Sequence, residues 1–106
     1  MPSAKWSESE KRVARRVFAA ALQRELADVM DEFKRRAATA KEPEDMWAVE
    51  QFLATARREI DSKYDWRYSQ LDLVFGRLLR EGRIGEGDLQ GLSEDKLVYI
   101  RRVASL

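Results

Sequence analysis

The chain has neither cysteine nor histidine among its 106 residues. Without thiols, no disulfide framework and no thiolate zinc site can form. Without imidazole, the commonest general base and the commonest transition-metal ligand are missing, as is the one side chain that ordinarily titrates near neutrality. Assembly and binding are therefore expected to be flat between about pH 6 and 8. Proline occurs twice and glycine five times, too sparsely for a turn-rich sandwich or a low-complexity coil. No apolar run approaches the roughly 20 residues of a membrane span, and the N-terminus lacks the apolar core of a signal peptide. Twenty basic residues stand against nineteen acidic ones, a net charge of +1. The signs are interspersed, so a polyanion is not the default partner. These absences predict a soluble, cytoplasmic protein with no enzymatic bond chemistry, no metal and no cofactor.

The composition that remains is 37% charged and 44% apolar, which suits helices, and the length suits one all-α domain spanning 1–106. Ser7 and Glu10 have capping-box spacing. Beyond them Val13, Val17, Leu22, Leu26, Val29, Met30, Phe33 and Ala37 recur every three or four residues. A first helix of about 30 residues, roughly 45 Å, is predicted to end near Thr39 to Lys41, because Pro43 disfavours the α conformation at Glu42. Pro43 then opens a second helix, with Glu44 and Asp45 at its positive end. Met46, Val49, Leu53, Ala56, Ile60 and Tyr64 stripe that helix. Leu71, Val74, Phe75, Leu78 and Leu79 stripe a third, closed by a Gly82 cap. Asp88 to Leu92 make one short turn, and Ser93 caps a short last helix carrying Leu97, Ile100 and Val103. Two long helices cannot both be wrapped by the remaining residues, so an elongated fold is expected to assemble as a homodimer through helices one and two.

Trp47 does not fit the second stripe. At 100° per residue Met46, Leu53, Ile60 and Tyr64 fall within about 40° of each other, whereas Trp47 lies more than about 90° from their centre. Either a second helix covers it as core, or it anchors a partner, as exposed tryptophan beside arginine does at interface hot spots.

A longer pattern runs through this region. Asp45-Met46-Trp47, Gln51-Phe52-Leu53, Arg57 to Asp61, Lys63-Tyr64-Asp65 and Arg67 follow one another along the chain. They are preceded by Trp6-Ser7 and Gln23-Arg24-Glu25-Leu26, and followed by Val74-Phe75, Leu78-Leu79, Glu81-Gly82, Leu89, Leu92 and Asp95-Lys96. In that order and spacing the sequence resembles the cyanobacterial fluorescence recovery proteins over roughly residues 6 to 104. The resemblance implies a non-enzymatic regulator that binds the photoactivated orange carotenoid protein, chiefly its C-terminal domain. By speeding return to the dark state it would end quenching of phycobilisome fluorescence. It implies a partner-binding patch containing Trp47 and Arg57 and a dimer interface containing Met46, to which the stripe adds Val49, Leu53 and Ile60. Glu50 and Gln51 complete the patch, standing where family members typically carry histidine and then aspartate. No small-molecule substrate is implied.

Other signals are weaker. Arg12, Arg15, Arg16, Arg35 and Arg36 share helix one with Glu8, Glu10, Glu25, Asp28, Asp31 and Glu32, which reads as a solvated mixed-charge surface rather than a nucleic-acid site. Asp61 and Asp65 are expected in surface ion pairs with Arg58, Lys63 or Arg67 rather than on magnesium. Gly82 to Gly87 lacks the lysine and hydroxyl of a phosphate loop. Two alternatives remain open: a dimeric helical scaffold or signalling adaptor with another partner, and a weak nucleic-acid binder.

Overall fold

The computed structural model describes residues 5–106. Its helices are α1 (Glu8–Thr39), α2 (Pro43–Lys63), α3 (Leu71–Arg80) and α4 (Glu94–Ala104), with a 3-10 turn at Glu86–Leu89. No strand occurs among the described residues. The molecule measures 53 × 21 × 20 Å, and α1, at 1.5 Å per residue, spans nearly all of the long dimension.

Local chemistry sets the boundaries. Ser7 Oγ accepts from the Glu10 amide at 3.1 Å while Glu10 Oε1 accepts from the Ser7 amide at 3.0 Å, the predicted capping box. At the other end Ala40 and Glu42 are extended ahead of Pro43. Asp45 Oδ2 accepts from the Lys41 and Glu42 amides at 2.9 and 3.1 Å, which holds this carboxyl below its ordinary range. Helix α3 closes on Gly82 at φ 76°. The Gly82 amide reaches Leu79 O at 3.1 Å and the Arg83 amide reaches Leu78 O at 2.9 Å, a Schellman cap that glycine occupies without steric cost. Ser93 caps α4, its side chain accepting from the Lys96 amide.

One end of the molecule is a head. Ala14, Val17 and Ala21 of α1 pack against Leu71, Val74, Phe75 and Leu78 of α3, with Trp6, Ile84, Leu89, Leu92 and Ile100 closing the cluster. Gly76 lets α3 and α4 meet: a Cβ there would lie 2.3 Å from Val103 Cγ1. The other end is an antiparallel hairpin of α2 on the C-terminal half of α1, marked by the Arg36 guanidinium 4.5 Å from the Phe52 ring.

Two features of the core lay outside the sequence reading, and one expectation changes. The apolar stripe of α1 does not mark one continuous core. Val17 is buried, but Leu26 and Met30 are exposed because α3 and α4 reach only the first half of the helix. Alanines 14 and 21, outside the stripe of large residues, are fully buried where close approach requires small side chains. Lys63, expected in a surface pair, is only 7% exposed.

Candidate protein-docking surfaces

Trp47 projects from the outer face of α2 and is 59% exposed. Glu50 and Gln51, three and four residues on, share that face one turn along. Both are exposed, and Gln51 Nε2 donates to Thr55 Oγ1 at 3.3 Å. Arg57 lies on the flank of the same helix, where its Nε is 3.9 Å from Asp61 Oδ2 with both side chains in solvent. Such a pair restrains the guanidinium weakly and leaves it available to another acceptor. Asp65 pairs with Arg67 at 2.5 Å. Arg58 turns instead to Thr55 Oγ1, so both acids form surface pairs, Asp65 with the expected Arg67 and Asp61 with Arg57, which was not among the expected partners.

Between the hairpin helices lies an open groove of about 730 Å³, lined by Phe18, Leu22, Leu26 and Val29 of α1 and by Leu53, Ala56, Ile60 and Tyr64 on the α2 side. Arg57 and Asp61 form its outer rim. Of the four expected interface residues, Leu53 (37% exposed) and Ile60 line this groove, though α1 already covers Ile60. Met46 is 54% exposed and, by helical phase, lies on the groove side of α2. Val49 points toward the hairpin turn near Arg36 and Thr39.

The hairpin is anchored to the head by a charged cluster that sequence reasoning missed. Lys63 Nζ donates to Glu25 Oε2 at 2.6 Å and to Glu81 Oε1 at 2.8 Å. Tyr64 OH donates to Glu25 Oε1 at 2.8 Å, and burial together with this bond raises the phenol above its ordinary pKa. Burial pushes Glu81 up, but hydrogen bonds from Lys63 and Arg77 outweigh it and hold the carboxyl low. Arg83 reaches Glu25 at 3.5 Å and also pairs with Asp28. No local sequence signal marks this network, because Lys63 lies 38 and 18 residues from its two carboxylates.

A second buried cluster lies in the head. Glu10 Oε2 accepts from the Ser93 amide at 2.9 Å, and Lys96 Nζ sits 3.4 Å from Glu10 Oε1 and 4.8 Å from the centre of the Trp6 ring. Asp72 is 5% exposed with no partner for Oδ1 among the described residues. Burial, opposed by Lys96 and reinforced by Glu10, raises its pKa to about 6. An acid-range group therefore reaches the edge of the window expected to be silent.

Among the described residues no group of His, Cys, Asp or Glu is placed to hold a metal ion, and no helix is long and apolar enough to cross a membrane. The exposed Trp47 and the open apolar groove are surfaces suited to contact with another protein.

Residues 6–104 match the family model described as photoprotection regulator fluorescence recovery protein. The fluorescence recovery protein of Synechocystis sp. is 37% identical over 103 residues, covering 97% of this chain and 94% of that protein. The solved structure of the Fremyella diplosiphon fluorescence recovery protein superimposes with a TM-score of 0.92 at 36% identity, over 96% of this chain and 100% of that one. The Synechocystis structure gives 0.91 at 36% identity with the same coverage.

Proposed function

The chain belongs to the fluorescence recovery protein family of photoprotection regulators, and on that basis we propose that it binds the photoactivated orange carotenoid protein and speeds its return to the dark state. Quenching of phycobilisome fluorescence ends as a result. The observation that carries this reading is Trp47. It stands 59% exposed on the outer face of a helix held rigid from both ends, by the Asp45 cap and the Lys63 cluster. Trp47 supplies the aromatic anchor, and Arg57 a planar donor pair for a carboxylate or carbonyl. Glu50 and Gln51 set the polarity between them.

Such a protein lowers a conformational barrier by binding alone. If it holds the compact arrangement of a two-domain partner more tightly than the open one, the difference in affinity drives recompaction without cofactor or bond chemistry. Accordingly it acts as a regulator rather than an enzyme, and it works in the cytoplasm.

The working unit is a homodimer. Leu26, Met30, Met46 and Leu53 leave the groove side of the hairpin apolar and in water, a condition that a second hairpin laid across it by two-fold symmetry removes. The four residues Met46, Val49, Leu53 and Ile60 contribute to that contact unequally, with Met46 and Leu53 foremost because their own chain covers them least.

Size-exclusion chromatography of the chain with photoactivated and dark-state orange carotenoid protein tests the assignment. Co-elution with the photoactivated form, reduced at least about tenfold in affinity by Trp47→Ala, is expected. Binding by neither would transfer the function to a scaffold with another partner, and equal binding of wild type and Trp47→Ala would keep the partner but remove Trp47 as its anchor.

A further inference from the structure

Residues 11–24 of α1 hold five cations, Lys11, Arg12, Arg15, Arg16 and Arg24, and no carboxylate. Over the whole of α1 eight basic residues stand against six acidic ones, and five of those acids are already engaged by other groups. Glu25 bonds Lys63 and Tyr64, Asp28 pairs with Arg83, and Glu32 with Arg35 and Arg36. Glu8 is drawn to Lys11 at 3.4 Å, and Glu10 is buried under α4. Among the described residues, Arg12, Arg15 and Arg16 are exposed and their side chains have neither an ion pair nor a hydrogen bond.

Along the Arg15 flank of this exposed face runs a row of rings, with Arg12 and then Arg16 lying farther round the helix. Lys11, Arg15 and Phe18 share one ridge of α1 by their spacing of four and three, and the segment 64–68 lies along it. Phe18 meets Trp66 edge-on at 4.9 Å, Trp66 meets Tyr68 at 5.8 Å, and Tyr68 meets Trp6 at 6.0 Å. Lys11 Nζ is 5.3 Å from the Tyr68 ring centre. Trp66 and Tyr68 are nonetheless 38% and 36% exposed.

We propose that this face, Arg12, Arg15 and Arg16 beside Trp66 and Tyr68, docks an acidic segment of a protein partner. Its carboxylates meet the three guanidiniums, whose planar donor forks match them, and one of its aromatic or aliphatic side chains seats against Trp66 and Tyr68. Unpaired charge of a single sign is the argument for an acidic occupant. The rings favour protein over nucleic acid, because single-stranded bases need open ring faces to stack upon. Here Trp66 is flanked by Phe18 and Tyr68, and Tyr68 by Trp6 and Lys11. The site does not rest on the assignment of Trp47 and Arg57. Arg15 lies about 35 Å along α1 from the hairpin turn beside which Trp47 stands.

Three tryptophans give three indole N–H signals in a ¹⁵N spectrum, assigned by single substitution. Titration with a glutamate–tyrosine copolymer at low salt should shift the Trp66 signal and leave that of Trp47 in place. Arg12→Glu with Arg15→Glu and Arg16→Glu should weaken copolymer binding about tenfold or more. The same charge change placed elsewhere, Lys34→Glu with Arg80→Glu and Arg102→Glu, should weaken it about twofold at most. If the first variant does not fold, Arg12→Gln with Arg16→Gln carries the same comparison. Four results would overturn the proposal: an unmoved Trp66 signal, equal loss in the control variant, tighter binding of oligothymidine than of the copolymer, or a Trp66 shift with protein concentration alone. The last would assign the face to a second copy of the chain.

Discussion

Lys63→Met isolates the joint between hairpin and head. In the wild type one ammonium, 6% exposed, neutralises two carboxylates, Glu25 at 2.6 Å and Glu81 at 2.8 Å. The methionine thioether fills comparable space, so the loss is chiefly electrostatic. Removing one partner of a buried pair costs about 3–5 kcal/mol, because the remaining charge keeps its desolvation penalty without compensation. The lower end applies here. Glu81 retains Arg77 at 2.8 Å and is 31% exposed, while Glu25, 12% exposed, keeps only the Tyr64 hydroxyl at 2.8 Å and the more distant Arg83 at 3.5 Å and is the less well compensated of the two. A loss of about 3 kcal/mol is a large part of the stability of a small domain. Urea denaturation followed by circular dichroism reads it as a lower midpoint with an unchanged slope. Adding Glu25→Gln should recover more than half of the loss, since the stranded charge is then gone. A midpoint within about 0.5 kcal/mol of wild type would refute the reasoning and make the cluster a surface ornament.

Asp72→Asn probes the head in the same way with the opposite sign. Its carboxyl is raised in the folded state to about 6 from 3.8, so ionisation disfavours folding. The penalty is absent below the unfolded pKa, grows between about pH 4 and 6, and is complete above that, approaching 3 kcal/mol. The variant should therefore be more stable than wild type at pH 7, with an advantage that vanishes near pH 4 when unfolding is compared across that range. Gly76→Ala forces a Cβ to 2.3 Å from Val103 Cγ1 and 3.2 Å from Ile100 O, and should cost about 1–3 kcal/mol in the same assay. Met46→Glu, at a position open to water in the single chain, should leave helicity intact and convert dimers to monomers by light scattering. Wild type that scatters as a monomer at micromolar concentration would instead remove the dimer from the account.

How far the sequence announces this structure depends on how local the cause is. Ser7 with Glu10, Pro43, Gly82 and Ser93 each act within four residues, and each boundary they predict is found where expected. The extent of the core was illegible, because an unbroken stripe on α1 says that one face is apolar but not which half another helix will cover. Lys63 was misread for the same reason: its partners lie 38 and 18 residues away, and nothing in its neighbourhood distinguishes it from a surface lysine. The separation of α2 from α3 carries no proline or glycine. It is held by tertiary contacts, Tyr64 on Glu25 and Trp66 on Phe18. Trp47 was legible as an outlier of phase, and the cations of residues 11–24 are visible in the sequence, whereas the engagement of the neighbouring acids by other groups required the structure.

The central claim is that this chain accelerates the dark return of a photoactivated carotenoid protein by contact through α2. The most direct measurement follows the visible absorption of photoactivated orange carotenoid protein in darkness, with and without catalytic amounts of the chain. The account predicts faster recovery with wild type, loss of most of the acceleration with Trp47→Ala and with Arg57→Leu at unchanged helicity and mass, and a further gain with Glu50→His and Gln51→Asp together. Recovery at the unassisted rate with wild type and with that double variant would contradict it.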